Sequence, residues 1–566
     1  MTLPPPPDAL EACVVVPARD EEALVGACIA ALAAQRDVER DAVEVILVLD
    51  RCTDATATRA REAALAGGVR LHVVDAPADG VGHARRHGMD LACARLFAAG
   101  RPHGLIATTD ADSEPDPDWL RMQLDAVAAG ARAIGGRVEL GAAERAALPP
   151  AVVARRGAEA RARLARVRAD APAGVPAEHH QFSGASLALT AATYAAIGGL
   201  EPREALEDEG LERLLRRHGV AVHRLGAVRV TTSGRLGGRA RRGLAVDLRR
   251  SWWQAERTYA AAAFPLERLL AAKRATVSVV LPTRDVADTI GGVLDALAPL
   301  RRAGLIDEIL VVDAASRDGT AALAAGRGVR VADESSLLPA YGPALGKGDA
   351  MWRGVAATTG DVVAFLDTDT EDFTPAFVLG LLGPLLCEPA VAFVKGAFRR
   401  PLRVGDVVVP DGGGRVTELV ARPYLNLHVP ELAPFVQPLA GEVAARRELL
   451  ESLPFPVGYG VEIALLIDAL RAVGLEGLAQ VDLGTRQNRH QPLRDLTAMA
   501  LAVLAAAERR VHGEAAVAAA APGPLLVPED GELRLRSVVV DERPPLRALT
   551  PAASAPRDRP AAARRA

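Results

Sequence analysis

Two pairs of aspartates, each pair separated by one residue, are the side chains best suited to chemistry in this sequence. Asp367 and Asp369 come at the end of the apolar run 362–366, and Asp110 and Asp112 end a similar run earlier in the chain. On an extended strand, residues i and i+2 point to the same face, so the carboxylates of each pair can act together. Such a pair can bind Mg²⁺ or Mn²⁺, which prefer oxygen ligands and keep positions open for phosphate oxygens. For a single Asp-x-Asp, two solvated acids in a turn are the alternative.

The stretches before these aspartates predict buried strands of a parallel sheet. Runs of Val, Ile and Leu that stop abruptly at a polar residue are typical of strands covered on both faces. Such runs alternate with helical stretches in both halves of the chain, which indicates βαβ units. In open α/β sheets, ligands bind at the carboxyl edge of the strands. We therefore expect both aspartate pairs at the binding edge of a sheet.

The same order of landmarks occurs twice. Strand-ending residues in the first half recur in the second at offsets of 265, 263 and 257 residues, the pairs being Pro17 with Pro282, Asp50 with Asp313 and Asp112 with Asp369. A nearly constant offset over three landmarks indicates an architectural repeat rather than a chance motif. The sequence therefore predicts an α/β protein with two tandem copies of one nucleotide-binding, Rossmann-like fold with a mostly parallel sheet.

Composition limits the class of protein. The 566 residues carry a formal net charge of −4, and the five cysteines form no Cys-x-x-Cys pair. No global charge attracts nucleic acid or an anionic membrane, and no zinc or disulfide framework is indicated. No secretory signal is visible, and no apolar run reaches the roughly 18 residues needed to span a bilayer. We expect a cytoplasmic protein with no nucleic-acid partner and no membrane span.

The boundaries follow from this pattern. We predict a first α/β domain over 1–239, a helical connector over 240–272, a second α/β domain over 273–521, and a tail over 522–566 that contains a short strand pair and a disordered segment rich in Pro, Ala and Arg.

The ordered set of a strand, Pro-x-Arg-Asp, a second strand ending in Asp, and Asp-x-Asp resembles the GT-A fold glycosyltransferases. The resemblance implies that these positions bind a nucleotide-sugar donor, and that the last acid of each Asp-x-Asp, Asp112 or Asp369, binds the metal. The donor-binding positions it implies are Pro17, Asp50, Asp110 and Asp112 in the first half and Pro282, Asp313, Lys347, Asp367 and Asp369 in the second.

The stretch from 277 to 501 resembles a narrower family, the glucosyl-3-phosphoglycerate synthases. The blocks that carry this resemblance are Gly346-Lys347-Gly348, Arg399-Arg400-Pro401-Leu402, the segment 412–419, Gln437-Pro438-Leu439 with Gly441-Glu442, and the segment 458–462. The family transfers glucose from UDP-glucose, or another nucleotide-glucose, to the 2-hydroxyl of 3-phosphoglycerate with retention of configuration. Transfer of mannose from GDP-mannose to the same acceptor is the alternative, because the acceptor motifs would be shared.

The residue types suit this acceptor, which carries a phosphate and a carboxylate. A glycine triplet that opens a helix offers free backbone N–H groups to an anion, Arg415 can bind it with two parallel hydrogen bonds, and Thr417 adds a hydroxyl. Lys347 suits the donor diphosphate. In the resembled family the counterpart of Glu462 lies beside the acceptor hydroxyl, so we assign it a catalytic role. The predicted acceptor residues are Gly413, Gly414, Arg415, Thr417, Tyr459 and Asn488.

Two departures from the family pattern concern the second half. The first strand is followed by Asp285-Val286-Ala287 instead of Asn-Glu-Glu, so two acids are missing. The family places a histidine, its third metal ligand, where this chain has Asn488. His490 stands two residues further on and shares a face with Asn488 if the segment is extended. We predict His490 as the metal ligand, with Asn488 as the alternative.

The first half resembles the mostly inverting, family-2-type glycosyltransferases. Glu207-Asp208 corresponds to the family's Glu-Asp motif, which implies that Asp208 is the general base, with Glu207 as its rival. The segment from Thr231 to Arg235, followed by Arg239 and Arg242, suits a loop that closes on a diphosphate. Two alternatives for this half stay open: a second glycosyltransferase of unknown acceptor, or a non-catalytic scaffold. A homodimer is one expected assembly of the chain.

Overall fold

The computed structural model describes residues 3–78, 80–203, 206–235, 243–404, 407–410, 412–486, 492–519, 525–529 and 532–549. The chain divides into two compact units, Met1–Trp252 and Trp253–Ala566. Each unit contains one large sheet of eight strands.

The first unit is built on a mixed sheet whose strand order is β3-β2-β1-β4-β7-β6-β8-β5. Strands β1 to β4 run parallel to one another, as do β6 and β8, whereas β7 is antiparallel to both of its neighbours and β5 is antiparallel to β8. The strands are β1 (Ala12–Ala18), β2 (Val43–Leu49), β3 (Leu71–Asp75), β4 (Leu105–Thr108), β5 (Ser113–Pro115), β6 (Ala133–Leu140), β7 (Leu187–Thr190) and β8 (Val222–Thr232).

Helices cover both faces of this sheet, which explains its continuous apolar strands. All seven residues of β1 are buried, and alternate side chains enter two separate apolar clusters, one containing Val14 and Val16 and the other Cys13 and Val15. Full burial of one such side chain contributes about 1.5–3 kcal/mol. The helices are α1 (Val25–Ala33), α2 (Thr56–Gly67), α3 (Val81–Ala98), α4 (Trp119–Ala128), α5 (Ala142–Ala147), α6 (Pro150–Asp170), α7 (Ala191–Ala196), α8 (Glu207–Arg217) and α9 (Leu244–Glu256).

The second unit contains an equivalent sheet with the strand order β12-β11-β10-β13-β17-β14-β19-β9. Within it, β17 is antiparallel to β13 and β14, and the other paired neighbours run parallel. Its strands are β9 (Thr258–Ala260), β10 (Val277–Thr283), β11 (Glu308–Asp313), β12 (Arg330–Asp333), β13 (Val362–Phe365), β14 (Phe393–Arg399), β17 (Val443–Arg446) and β19 (Leu478–Thr485).

The described residues of this unit also form three two-stranded ladders and further helices. The ladders pair β15 (Leu402–Val404) with β16 (Val407–Val409), β18 (Phe455–Pro456) with β22 (Glu542–Arg543), and β20 (Leu525–Glu529) with β21 (Glu532–Arg536). The helices are α10 (Leu266–Ala272), α11 (Ala287–Arg302), α12 (Thr320–Ala325), α13 (Lys347–Ala357), α14 (Pro375–Cys387), α15 (Arg422–His428), α16 (Arg447–Ser452), α17 (Val461–Val473), α18 (Leu496–His512) and α19 (Glu514–Ala519). A π-helical turn, Thr417–Ala421, precedes α15.

The predicted repeat is confirmed in detail. The first seven strands of the two sheets have the same order, and the sheets differ in the eighth, which is β5 in one and β9 in the other. Two sharp bends also recur: Asp20 and Asp285 have φ of 49° and 50°, and Arg51 and Ala315 both have φ of 52°. Non-glycine residues rarely adopt this left-handed conformation. Its recurrence after β1 and β2 of the first unit and after β10 and β11 of the second supports one fold used twice.

The segment predicted as a helical connector has a more varied structure. The division between the units falls between Trp252 and Trp253, inside α9. Beyond α9, residues 258–260 form the edge strand β9, which pairs in parallel with β19. Short strands that add to a sheet edge carry little periodicity of their own, so the sequence did not reveal this one.

The tail also departs from expectation. The predicted strand pair is present as β20 and β21. However, β22 pairs with β18, and its residue Arg543 contacts the buried Asp349. The predicted disordered segment from 550 onward lies outside the described residues. No helix in the described ranges is long and apolar enough to cross a membrane.

Candidate active sites

In the second unit, the predicted donor residues gather where the parallel strands end. The last residues of β10 and β11, Thr283 and Asp313, are register partners, and Asp367 follows β13, the neighbour of β10 on the other side. The hydroxyl of Thr368 donates to the carbonyl oxygen of Pro282 at 3.1 Å. This bond joins the Asp-x-Asp segment to the end of β10.

Asp313 lies in a buried turn beside these residues. It is 6% exposed and accepts a hydrogen bond from the backbone N–H of Ser316 at 3.0 Å. The segment after β10, which differs from the family pattern, is structured as well. Asp285 in this segment accepts a hydrogen bond from the backbone N–H of Arg317 at 2.8 Å. This turn is therefore ordered even though the chain lacks the two glutamates that the family has after this strand.

Lys347 is the centre of the site. It is the first residue of α13, and its Nζ lies 2.7 Å from Asp367 Oδ1 and 2.8 Å from Glu462 Oε1. Glu462 lies in the first turn of α17 and is 5% exposed. Burial alone would lower the pKa of Lys347, but the two carboxylates raise it above its usual value. The lysine is therefore held in its charged form between two predicted functional acids.

A second cation, Arg486, lies on the other side of Asp367. It follows β19, is 3% exposed, and its Nη2 is 3.1 Å from Asp367 Oδ2 and 3.1 Å from Asp369 Oδ1. Burial would raise the pKa of Asp367, yet Lys347 and Arg486 hold it below its ordinary range. The side chain of Asp369 is 50% exposed, so it is the member of the pair that faces solvent.

Behind this pair lies Glu442, which is fully buried in contact with Arg486 Nη1. Burial raises its pKa to about 7, although Arg486 lowers it. The preceding Gly441 leaves room for the aspartate, because a Cβ at that position would lie 2.1 Å from Asp367 Oδ1. Any side chain here would displace the carboxylate.

The predicted acceptor segment lies close to this cluster. The backbone N–H of Gly413 donates to the carbonyl of Arg400 at 2.8 Å, and Arg400 is near enough to Arg486 and Glu442 for their charges to influence its pKa, which burial lowers. Gly414 has φ of 67°, a conformation that favours glycine.

Helical structure begins directly after the glycines, as predicted. The prediction of free backbone N–H groups is wrong for Gly412 and Gly413, because they donate to the carbonyls of Val409 and Arg400. Arg415 is helical and half-buried, and Thr417, which is 2% exposed, begins the π-helical turn. Tyr459, by contrast, is 49% exposed and lies three residues before Glu462. Asn488 and His490, the two alternatives for the third metal ligand, lie outside the described residues.

In the first unit, Arg85 on α3 organises the corresponding edge. This guanidinium is 2% exposed, and it lies 2.6 Å from Asp110 Oδ1 and 3.0 Å from Glu207 Oε1. It also donates to the carbonyl of Gly184 at 2.9 Å. Burial lowers the pKa of Arg85, but its acidic neighbours raise it above the ordinary value. One buried cation thus ties the first acid of the Asp-x-Asp to the Glu-Asp motif.

This arrangement gives Glu207 and Asp208 different surroundings. Glu207 is engaged by Arg85, whereas Asp208 accepts hydrogen bonds from the backbone N–H groups of Gly184 at 3.2 Å and Glu209 at 2.8 Å. Burial first, and the charge of Glu207 second, raise the pKa of Asp208 to about 6. A carboxylate with that pKa can exchange protons near neutral pH.

The remaining predicted residues of this unit also lie at the edge. Pro17 is buried in β1, and Asp50 accepts from the backbone N–H of Gly80 at 3.2 Å. Asp112 lies 3.0 Å from Arg235, which also binds Glu21. Burial and the charge of Asp110 raise the pKa of Asp112 to about 6. Arg239 and Arg242, predicted to belong to a closing loop, lie outside the described residues.

Both edges fit a divalent cation by the chemistry of their donors. Asp369 presents a half-exposed carboxylate beside Asp367, and Asp112 lies near the carboxylates of Asp110 and Glu21, with Arg235 as the neighbouring cation. Such carboxylates are hard oxygen ligands of the kind that Mg²⁺ and Mn²⁺ prefer.

Sequence reasoning missed the buried arginines. Arg85 lies inside a helix and Arg486 just after a strand, and neither belongs to a motif that stands out by spacing. The sequence analysis also assigned no role to Glu442 or Lys395. Lys395 is fully buried in β14, and its Nζ donates to the carbonyl of Ala440 at 2.8 Å. Glu442 and Lys395 carry one signal, because each is a charged residue inside an apolar stretch, where an unpaired charge is costly. Arg85 and Arg486 have polar neighbours in the sequence and lack that signal.

Comparison with known proteins gives three kinds of match. The family model described as glycosyl transferase family 2 matches residues 13–160 and 278–400, one region in each unit. A glucosyl-3-phosphoglycerate synthase of Mycolicibacterium smegmatis is 44% identical over 304 residues, covering 53% of this chain and 98% of the relative. One from Mycobacterium tuberculosis is 50% identical over 233 residues, covering 41% of this chain and 72% of the relative.

Two solved structures are also similar. A mannosyl-3-phosphoglycerate synthase from Rubrobacter xylanophilus is 49% identical and covers 52% of this chain and 98% of its own, with a TM-score of 0.48. A glucosyl-3-phosphoglycerate synthase from Mycobacterium tuberculosis, in complex with Mn²⁺, UDP and glucosyl-3-phosphoglycerate, is 42% identical and covers 50% and 95%, with a TM-score of 0.45. Each of these proteins corresponds to about half of this chain.

Proposed function

The chain belongs to the glucosyl-3-phosphoglycerate synthase family of glycosyltransferases and carries two family-2 regions in the GT-A fold, and from this premise we propose that its C-terminal unit transfers glucose from UDP-glucose to 3-phosphoglycerate. The observation that carries the assignment to this unit is the position of Lys347 between Asp367 and Glu462, with Arg486 on the opposite side of Asp367. The blocks shared with this family, from Gly346 to Glu462, all lie in the same unit.

The charges suggest how the donor and acceptor are bound. Lys347 remains protonated because of its two acidic neighbours, so it can bind a donor phosphate. In the glycine segment, the N–H groups of Gly412 and Gly413 already donate to the carbonyls of Val409 and Arg400. The guanidinium of Arg415 is therefore the group that would bind the phosphate or carboxylate of the acceptor. Glu462, which Lys347 holds in place, would then orient the acceptor hydroxyl.

A bound Mg²⁺ or Mn²⁺, held by Asp369 and a further ligand from Asn488 or His490, would stabilise the negative charge that develops on the departing diphosphate.

We further propose that transfer retains configuration by a front-face path. In the described part of the site, the carboxylates of Asp367, Asp369, Glu442 and Glu462 each contact a cationic side chain. This favours a path without a covalent intermediate on a carboxylate. The bond from the anomeric carbon to the diphosphate breaks as the bond to the acceptor oxygen forms on the same face, and the acceptor proton passes to the departing phosphate.

The test uses the full chain with 3-phosphoglycerate, Mg²⁺ or Mn²⁺, and either UDP-glucose or GDP-mannose. We expect glucosyl transfer that Asp369→Ala abolishes and Asp112→Ala spares. Transfer lost in Asp112→Ala alone would move the activity to the other unit, and transfer from GDP-mannose alone would identify a mannosyltransferase. If 3-phosphoglycerate is not turned over with either donor, the proposal is wrong.

For the N-terminal unit we propose a second glycosyltransferase rather than a scaffold. The supporting observation is the separation of Glu207, bound to Arg85, from Asp208, whose pKa is raised to about 6. The test measures nucleotide binding, by thermal shift with UDP or GDP and Mn²⁺, in chains whose C-terminal site is disabled by Asp369→Ala. Binding that disappears on adding Asp112→Ala supports a second donor site, and no binding favours the scaffold. A homodimer and a cytoplasmic location stay predictions.

A further inference from the structure

A second cluster of metal-ligating side chains lies in the C-terminal unit, outside the proposed active site. One ligand atom each from His428, Glu508 and His512 can be chosen so that all three lie within 4.8 Å of one another. His428 is the last residue of α15, and Glu508 and His512 are four residues apart on α18. Residues i and i+4 share one face of a helix, so both α18 side chains face the same side.

The geometry is suited to a shared ion. Glu508 Oε2 is 3.7 Å from His512 Nε2, and the imidazole centroids of His428 and His512 are 5.3 Å apart with the rings at 84°. Zn²⁺ binds histidine nitrogen and carboxylate oxygen at about 2.0–2.2 Å. Ligand atoms of one zinc are therefore roughly 3.5 Å apart, a distance that small rotations of these side chains reach.

The surroundings orient one of the three side chains, His428. The ring of Tyr424 packs on that of His428, with centroids 4.5 Å apart. Tyr424 is 7% exposed, so its ring gives the imidazole of His428 a buried surface to pack on. Neighbours of this kind fix the orientation of metal ligands in proteins.

The donor set also discriminates between metals. Imidazole nitrogen suits zinc and other transition metals, whereas carboxylate oxygen suits Mg²⁺ and Mn²⁺. We propose that His428, Glu508 and His512 form a Zn²⁺ site, open to solvent, that is separate from the cation site at Asp369.

A zinc ion at this position would join two elements that continue from the predicted acceptor site. The helix α15 follows the π-helical turn that begins at Thr417, and α18 follows the segment that contains Asn488 and His490. The helix α18 also packs against that turn. Zinc is therefore expected to stabilise the C-terminal unit against unfolding, whether or not the chain acts on 3-phosphoglycerate.

A different group in the N-terminal unit, Asp20, Cys52 and Asp54, has similar proximity but other partners. Asp20 Oδ1 accepts from the backbone N–H of Thr53 at 2.6 Å, and Cys52 Sγ donates to the carbonyl of Ala18 at 3.3 Å. Asp54 accepts from the backbone N–H groups of Glu22 and Thr56, each at 3.0 Å. These bonds account for that group as a loop structure, so it serves as an internal comparison.

The experiment titrates the metal-free full chain with ZnCl₂ in excess Mg²⁺ and follows binding by calorimetry. We expect one zinc per chain, lost in His428→Ala and in His512→Ala, and retained in Asp369→Ala, Cys52→Ser and the exposed-histidine control His218→Ala. Zinc should also raise the unfolding temperature of the wild type but not of His428→Ala. His428 and His512 are exposed, so the circular dichroism spectra of the variants should match that of the wild type.

Three outcomes would overturn the proposal. They are the absence of zinc binding in the wild type, zinc binding that survives both histidine substitutions, and zinc binding that depends on Cys52 or Asp369 instead.

Discussion

Replacement of Arg543 by alanine tests whether the C-terminal segment holds the proposed donor site together. Arg543 Nε and Nη2 lie 3.0 and 2.5 Å from the two carboxylate oxygens of Asp349, and Asp349 is fully buried in the first turn of α13, two residues after Lys347. The same guanidinium donates to the carbonyls of Tyr341 at 2.9 Å and Pro343 at 3.2 Å.

The magnitude follows from what the substitution leaves behind. Breaking a buried ion pair by removing one partner costs about 3–5 kcal/mol. Arg353 still contacts Asp349 Oδ1 at 3.0 Å in the variant, so we expect the lower end, about 3 kcal/mol. For a unit of this size that lowers the unfolding temperature by about 6 °C. Because Lys347 begins the same helix, we also expect glucosyl transfer to slow about tenfold through poorer positioning.

The assay combines calorimetric unfolding of the full chain with glucosyl transfer to 3-phosphoglycerate. The matched control is Arg547→Ala, since Arg547 is exposed in the same segment. Arg543→Lys should recover part of both losses, because lysine restores the charge but not the two-pronged contact. If Arg543→Ala unfolds at the same temperature as Arg547→Ala and transfers glucose at the same rate, the segment does not support the site.

Three further predictions follow from the site geometry. Gly441→Ala should lower kcat/KM for glucosyl transfer at least about 100-fold, because its Cβ would lie 2.1 Å from Asp367 Oδ1. The control Gly292→Ala, whose Cβ would have no atom within 4 Å, should leave kcat/KM unchanged. Equal kcat/KM values for the two variants would contradict this prediction. Glu462→Gln should lower kcat more than it changes KM for UDP-glucose, as initial-rate kinetics will show, because it affects the acceptor side of Lys347; an effect on KM alone would count against that role. In the folded protein the pKa of Asp208 is raised from 3.8 to about 6, so the folded state binds this proton more tightly than the unfolded state. The resulting stability is fully present below pH 4 and is lost as the pH rises through 6. Asp208→Asn should therefore raise the unfolding temperature at pH 8 by about 2–4 °C, and no change would contradict the burial of that charge.

Periodicity and spacing were sufficient to predict the repeated architecture. Val14–Val16 and Val279–Leu281 are apolar without interruption because helices cover both faces of each sheet, and such strands can be read from composition alone. The carboxyl edge, and with it the neighbourhood of Asp50, Asp112, Asp313 and Asp369, follows from the parallel direction of the strands. Which residues lie near the carboxyl end of a strand can therefore be read from the local sequence.

The partners of those acids were decided by the tertiary structure. Arg486 is 117 residues from Asp369, and Arg85 is 122 residues from Glu207, and no local pattern links positions that far apart. The pairing of the edge strand β9 with β19 and the contact of Arg543 with Asp349 also join residues that are far apart in the sequence. A buried charge requires a partner of opposite sign, so the sequence by itself determined that such charges must be paired, and only the folded chain decided which residues pair with them.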